Sequence, residues 1–319
     1  MPLWLTESDV RAVLSLGDLI PAMESALAAF SAGCVAQPVR TAIEMRPRAF
    51  FGLMPAYHRE RAVLGAKLVS VIPENAARSL PTHLAAISLF DAETGELLAV
   101  MDGRYITELR TAAVSAVSVK ALARPGAAVL AILGSGVQAR SHLEAFRHAG
   151  SFREIRAWSP TPDHLDRFAK ECGAYAAASA REAVDGANVV LVATNMVTPA
   201  IEDAWVAEGA HVIAIGACRP SQRELDGALV ARASLFVDSR AAALEESGDV
   251  VQSIAEGRFT AAHIRAELGE VLAGTAPGRT GPREVTLFKS LGLAIEDVTA
   301  ASLAYSRARE SGRGLEVKF

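Results

Sequence analysis

Three basic residues of this 319-residue chain stand where long cations are expensive to keep. Arg40 in QPVRTAIEM, Lys67 in LGAKLVSVIP and Arg110 in TELRTAAVSA each have apolar or small neighbours. An isolated charge is costly to bury, so such side chains either carry their heads out to solvent or gather around an anion. A solvated role suffices for any one of them alone. All three lie upstream of a nucleotide-binding pattern, which makes a clamp for a substrate carboxylate plausible, with arginine supplying bidentate geometry. No partner acid for this cationic group is visible in the sequence.

The nucleotide pattern is LAILGSGVQARSHLEAF, in which Gly134, Gly136 and Ala139 follow an apolar run and open a helix. Gly134 permits a tight turn, Gly136 lets backbone approach a pyrophosphate, and Ala139 keeps the helix close to the sheet. The helix N-terminus then offers unpaired N–H groups to the phosphates. A turn that merely joins strand to helix is the alternative; the flanking strand, helix and next strand favour the cofactor. The following strand ends in AWSPTPDH, with Ser159 and Thr161 where an NAD enzyme usually places an acid for the ribose 2′-hydroxyl. That absence favours NADP(H) over NAD(H), although no arginine stands at the turn to hold a 2′-phosphate; Arg156 precedes it within the strand.

Other chemistries find little support. The seven histidines show no HxxxH spacing, and Cys34, Cys172 and Cys218 form no CxxC pair, so neither a metal centre nor a disulfide framework is expected. His83 in SLPTHLAAISLF reads by default as a satisfied interior histidine. No GxSxG elbow or P-loop occurs, which leaves hydride transfer as the best-supported reaction. Cys218, in AIGACRPSQRELD, has neither a partner cysteine nor ligand spacing, and a thiol of reference pKa about 8.5 is mostly protonated at neutral pH.

These residues need elements to hold them. TESDVRAVLSLGDLIPAMESALAAFSAG reads as one or two amphipathic helices, and residues 39–101 as a mostly antiparallel sheet with DAETGE as a hairpin turn. ITELRTAAVSAVSVKALA reads as an alanine-rich helix closed by RPG. Beyond it, apolar strands alternate with helices, the signature of a parallel sheet covered on both faces. The expectation is therefore an α/β chain. A substrate-binding and dimerisation domain spans 1–118, with 291–319 returning to it, and a Rossmann-type domain spans 119–290. With 51% hydrophobic residues the chain can bury a sizeable core, and a net charge of −4 gives no footprint for nucleic acid or an anionic membrane. No export signal or membrane span is apparent, and a cytoplasmic location is expected.

The pieces GLMPAY, AKLVSV, LLAVMDGRYITELRTAAVSAVS, ILGSGVQARSH, GACRPSQRELD, FVDSRAAALEESGDV, AELGEVLAG and TLFKSLGLAIED, in this order, resemble the ornithine cyclodeaminase/mu-crystallin family over nearly the whole chain. Several are most similar to its ketimine reductase branch. The resemblance implies a homodimer built through the N-terminal domain, an NAD(P)-holding Rossmann domain and a small cyclic imine or amino acid as substrate. It implies Arg40, Lys67 and Arg110 as substrate-carboxylate and catalytic residues, with Met54, Cys218 and Glu246 also lining the substrate. It implies cofactor contacts from Thr82, His83, Arg110, Thr111, Gly134, Ser135, Gly136, Val137, Gln138, Ala139, Ser159, Thr161, Thr194 and Ser290. For Glu246 a solvated helical charge is an equal alternative.

Cys218 departs from the cyclodeaminases, which carry an aspartate there for acid/base steps. The expectation is thus NAD(P)H-dependent reduction of 1-pyrroline-2-carboxylate or 1-piperideine-2-carboxylate to proline or pipecolate. Ornithine cyclodeamination, an open-chain imine or alanine dehydrogenase, and a non-catalytic ligand-binding protein are the alternatives.

Overall fold

The computed structural model describes residues 1–318, which divide into two compact units: residues 1–111 with 293–318, and Ala112–Gly292. The sequence places the boundary at 118/119, inside the helix Arg104–Leu122, whereas packing divides that helix at Thr111. Among the described residues no single helix is long and apolar enough to cross a membrane.

The first unit is built on an eight-stranded, mostly antiparallel sheet. Ala49–His58, Val63–Val71, His83–Asp91 and Leu97–Asp102 pair in succession as antiparallel neighbours. The expected DAETGE turn closes the last hairpin. Asp91 Oδ1 accepts from Glu93 N and Thr94 N, and Gly95 takes φ +74°. The alternation of the strands sets the faces: Met54 is paired with Lys67, and Lys67 with Ile87, so all three side chains share one face of the sheet. That face is covered by the C-terminal helix Ala294–Ser311, which packs on these strands. The N-terminal segment forms two helices, Glu7–Val13 and Leu16–Ser31, each opened by a hydroxyl cap, Thr6 and Ser15.

The second unit carries an eight-stranded sheet that is parallel throughout. Its order is Tyr175–Ala176, Glu154–Trp158, Val129–Leu133, Val189–Val192, His211–Ala214, Thr286–Lys289, Ser234–Val237, Ile264–Glu267. The first strand in sequence, Val129–Leu133, lies inside the sheet and the chain winds outward from it in both directions, as in doubly wound dinucleotide folds. Every residue of Val189–Val192, His211–Ala214 and Thr286–Lys289 is buried, as expected of strands covered on both faces; Val189–Val192 is wholly apolar, while His211, Thr286 and Lys289 are buried polar residues at the strand ends.

Candidate active site

In the first unit, Lys67 lies on the covered face of the sheet and is 2% exposed; Arg110, on the helix Arg104–Leu122, is 5% exposed. The missing acids are Glu296 and Asp297, fully buried in the first turn of the C-terminal helix, where the helix dipole favours carboxylates. Lys67 Nζ lies 2.6 Å from Asp297 Oδ2. Arg110 donates from Nε to Asp297 Oδ1 at 2.9 Å and from Nη1 to Glu296 Oε2 at 2.6 Å. Asp297 thus bridges both cations, while Arg110 Nη2 keeps no partner among the described residues. The cluster without a visible acid is therefore an ion network whose acids arrive from the far end of the chain.

The charges tune one another. Burial lowers the Lys67 pKa to about 8; Asp297 opposes the shift, and the positive charges of Arg110 and Arg40 reinforce it. Burial works against the Arg110 charge too, but Asp297 and Glu296 outweigh it and hold the guanidinium above its usual range. Arg40 is half-buried in the segment before the strand Thr41–Arg46. Met54, directly opposite Lys67 in the sheet, is 4% exposed.

Thr82 and His83 sit at the start of His83–Asp91, with Thr82 Oγ1 3.2 Å from His83 Nδ1. His83 is exposed rather than interior: it is in phase with Ile87 and Leu89, but full burial on that face begins only at Ile87. Partial desolvation, and then the Lys67 charge, hold its pKa below the usual imidazole range. The enclosed histidines include His142, beside the Ser115 hydroxyl at 2.9 Å, and His211, flanked by Ser118 and Thr286 hydroxyls at 3.1 and 2.9 Å and pushed down to about 3 by burial and then by Arg279. Thr111 turns its hydroxyl to its own helix, donating to the Thr107 carbonyl at 2.6 Å.

In the second unit the glycine turn has the shape a dinucleotide requires. Gly134 has φ +124°, and a Cβ there would collide with the Ala193 carbonyl oxygen. At Gly136, the N-cap of the helix Val137–Ala149, an added Cβ meets nothing within 4 Å, so the backbone faces open space. Val137 is half exposed, Gln138 is intermediate and Ala139 is buried against the sheet. Ser135 Oγ donates to Ser159 Oγ at 3.0 Å, and Thr161 caps the next helix, Pro162–Cys172. These residues fit an NAD(P) pyrophosphate and ribose. Arg156 is turned away from a 2′-phosphate role: it bonds Glu154 at 2.6 Å and the Asp185 carbonyl at 2.6 Å.

The remaining expected residues are scattered along the ends of the same sheet. Cys218 is half-buried, its thiol donating to the Ile215 carbonyl at 3.4 Å. Thr194 donates from N and Oγ1 to Glu224 Oε1. Ser290, 2% exposed, turns its hydroxyl inward to Asp238 at 3.2 Å. Glu246 ends the helix Arg240–Glu246 and is intermediate in exposure.

A doubly wound sheet with a fitted glycine turn, in a chain whose other unit buries a cationic cluster, defines a nicotinamide-dependent oxidoreductase of small anionic substrates. The description of the ornithine cyclodeaminase/mu-crystallin family matches residues 2–312, and the chain belongs to that family. It is 46% identical to the ketimine reductase mu-crystallin of Mus musculus over 311 residues, 95% of this chain and 96% of the relative. The structure of Thermococcus litoralis Delta(1)-pyrroline-2-carboxylate reductase in complex with NADH and L-proline superimposes with a TM-score of 0.96 at 38% identity, covering 99% of this chain and 100% of that one. An archaeal alanine dehydrogenase dimer with bound NAD superimposes with a TM-score of 0.95 at 32% identity, covering 100% and 99%.

Proposed function

We propose that this chain is an NAD(P)H-dependent ketimine reductase that converts 1-pyrroline-2-carboxylate or 1-piperideine-2-carboxylate to proline or pipecolate. The observation that carries this reading is the buried Lys67–Asp297–Arg110 network, which holds two cations in fixed orientation with donors still to spend. The relatives support it, since the mouse protein is a ketimine reductase and the Thermococcus litoralis reductase holds L-proline with NADH.

Asp297 and Glu296 lock Arg110 and leave Nη2 to donate to a substrate carboxylate, and Lys67 adds a second positive contact. Fixing the carboxylate fixes the imine carbon. The residues of the glycine turn would hold NAD(P)H, which would supply the hydride for imine reduction. A substrate that enters as the iminium becomes a neutral amine on hydride addition, so the protein need add no proton. For a substrate entering as the free imine, Lys67, with its pKa near 8, is the group poised to supply one. Position 218 bears a thiol and offers no fixed carboxylate to an ammonium group or attacking water, which favours reduction over cyclodeamination.

The cofactor preference we assign is NADP(H), on the absence of an acid after the strand Glu154–Trp158. We assign a homodimer through the first unit. Ile43, Met45, Phe51, Leu53, Leu68 and Leu84 leave an apolar sheet face exposed, more than a soluble monomer usually shows; light scattering of the purified protein tests this.

The reaction is tested by following NADPH and NADH oxidation with the two cyclic imines, with ornithine plus NAD⁺ as comparison. Cyclic-imine reduction without ammonia release from ornithine is the expected outcome. Ammonia release without added reductant would establish cyclodeamination instead, and cofactor binding with no turnover of any imine would leave a ligand-binding protein.

A further inference from the structure

The chemistry above leaves one set of buried charges unused. Glu224, Lys289 and Asp249 are at most 1% exposed, and all lie in the second unit. Lys289 Nζ is 3.0 Å from Asp249 Oδ2 and 3.6 Å from Glu224 Oε2. Asp249 Oδ1 in turn accepts the backbone N–H groups of Glu224 and Leu225 at 2.8 and 2.9 Å.

Glu224 spends its whole carboxylate on two loops. Oε1 accepts Thr194 N at 3.0 Å and Thr194 Oγ1 at 2.9 Å; Oε2 accepts Gly216 N at 2.6 Å and Ala217 N at 2.9 Å. Every one of these partners is a donor, so the geometry calls for the ionised acid, although burial raises its pKa. Lys289 is held charged because the two carboxylates outweigh its own burial. Gly216 is required, since a Cβ there would collide with the Thr194 carbonyl oxygen and with the Glu224 carboxylate.

The place of the trio in the sheet gives it meaning. Thr194 follows the strand Val189–Val192, Gly216 and Ala217 follow His211–Ala214, and Lys289 ends Thr286–Lys289. These are three adjacent strands of the parallel sheet, all represented by their C-terminal ends. Dinucleotides lie along that edge in sheets of this order. The first strand of the sheet, with its glycine turn, takes the pyrophosphate, so the loops tied by Glu224 stand on the nicotinamide side. Apolar replacements of buried ion groups are often as stable as the ions themselves, so stability alone does not account for a trio of this kind.

We propose that Glu224 is a positioning residue for the nicotinamide half of the cofactor, tying the Thr194 and Gly216–Ala217 loops into one arrangement, with Lys289 as counter-charge and Asp249 as brace. The proposal rests on the NAD(P)-binding reading of the glycine turn but not on the identity of the imine.

The test is Glu224→Gln, which keeps the size and one acceptor but turns an amide donor against backbone donors. The readouts are 5′-AMP and 2′,5′-ADP binding for the adenosine half, the fluorescence change of NADH and NADPH on binding for the nicotinamide half, and kcat with 1-pyrroline-2-carboxylate. The expected result is a split. Adenosine-fragment affinity stays within about twofold, the nicotinamide signal is largely lost, and kcat falls about 100-fold, the order of loss that a misplacement of about 1 Å produces. Fragments and dinucleotides weakening together, or no readout moving, would overturn the assignment. If Glu224→Gln does not fold, Asp249→Asn, which keeps the acceptor for both backbone donors, must show the same split at smaller size; equal effects on both halves overturn it there too. A wild-type protein that gives the nicotinamide signal yet reduces no imine defeats the proposed reaction and leaves this inference intact.

Discussion

In the first unit, Lys67 and Arg110 face Glu296 and Asp297, two cations against two carboxylates, and Arg40 adds positive charge close enough to depress Lys67. In the second, Lys289 alone faces Glu224 and Asp249. The two clusters are buried to the same degree but differ in balance: the first is matched charge for charge, with the half-buried Arg40 adding positive charge beside it, and the second has one carboxylate over. The acid-rich cluster turns inward: both Glu224 oxygens and Asp249 Oδ1 are taken up by N–H and hydroxyl donors of its own loops, and Asp249 Oδ2 faces Lys289 Nζ. The cation-rich cluster keeps donors unspent, at Arg110 Nη2 and on the Lys67 ammonium. Buried charge that is satisfied by backbone fixes a shape, whereas buried charge with donors left over is ready for an external anion.

The largest way to break this contrast is Arg110→Ala. It strands Glu296 and Asp297 in the interior, and removal of one side of a buried pair costs about 3–5 kcal/mol, to be read by chemical denaturation. A loss below about 1 kcal/mol would show the network to be surface-like in its energetics. Next comes Lys67→Met, which removes the charge assigned to the substrate clamp while Arg110 still faces Asp297. Imine reduction should fall about 100- to 1,000-fold in kcat/KM, and a change under tenfold would remove Lys67 from the clamp.

The pH dependence sharpens the comparison further. If the proposed clamp uses the Lys67 ammonium, kcat/KM should fall as pH rises through about 8, and Asp297→Asn, which removes the stabilising carboxylate, should move that limb to lower pH. The sign for stability is opposite. The folded value lies below the unfolded 10.5, so the unfolded chain holds this proton more tightly, and the penalty of burying Lys67 shrinks as pH rises from about 8 to 10.5. An alkaline limb that Asp297→Asn leaves unmoved would assign the titration to the substrate alone. Arg40→Ala, at a half-buried position, should raise KM about tenfold with kcat little changed. The smallest effect is expected for Cys218→Ala, which should retain imine reduction. Complete loss with binding intact would make the thiol catalytic.

Much of this was legible from residues with local signatures. GSGVQA sits between an apolar run and an amphipathic helix, and its glycines have the positive φ and open approach that the pattern requires. The continuous apolar strands likewise announced a sheet covered on both faces. The acids were not legible. Arg110 and its partners are separated by 186 and 187 positions, and Glu296 and Asp297 read locally as ordinary polar residues of a helix start. Glu224 was hidden in the same way inside QRELD, a stretch that looks solvated, although Lys289 within the apolar run TLFKSLG was a signal that a buried acid must lie nearby. His83 failed in the other direction, because periodicity marks the face of a strand but not where the covering layer ends. Complementary charge brought together by the fold has no period, and so leaves no mark on the sequence.

The central claim, that the cation-rich cluster exists to hold a substrate carboxylate, is tested most directly by calorimetric titration of the cofactor-loaded protein with L-proline and with L-prolinamide, which differ only in that carboxylate. The account predicts measurable binding of proline and at least about 100-fold weaker binding of the amide, the discrimination of a charge-assisted bidentate contact. Equal affinity for the two would contradict it.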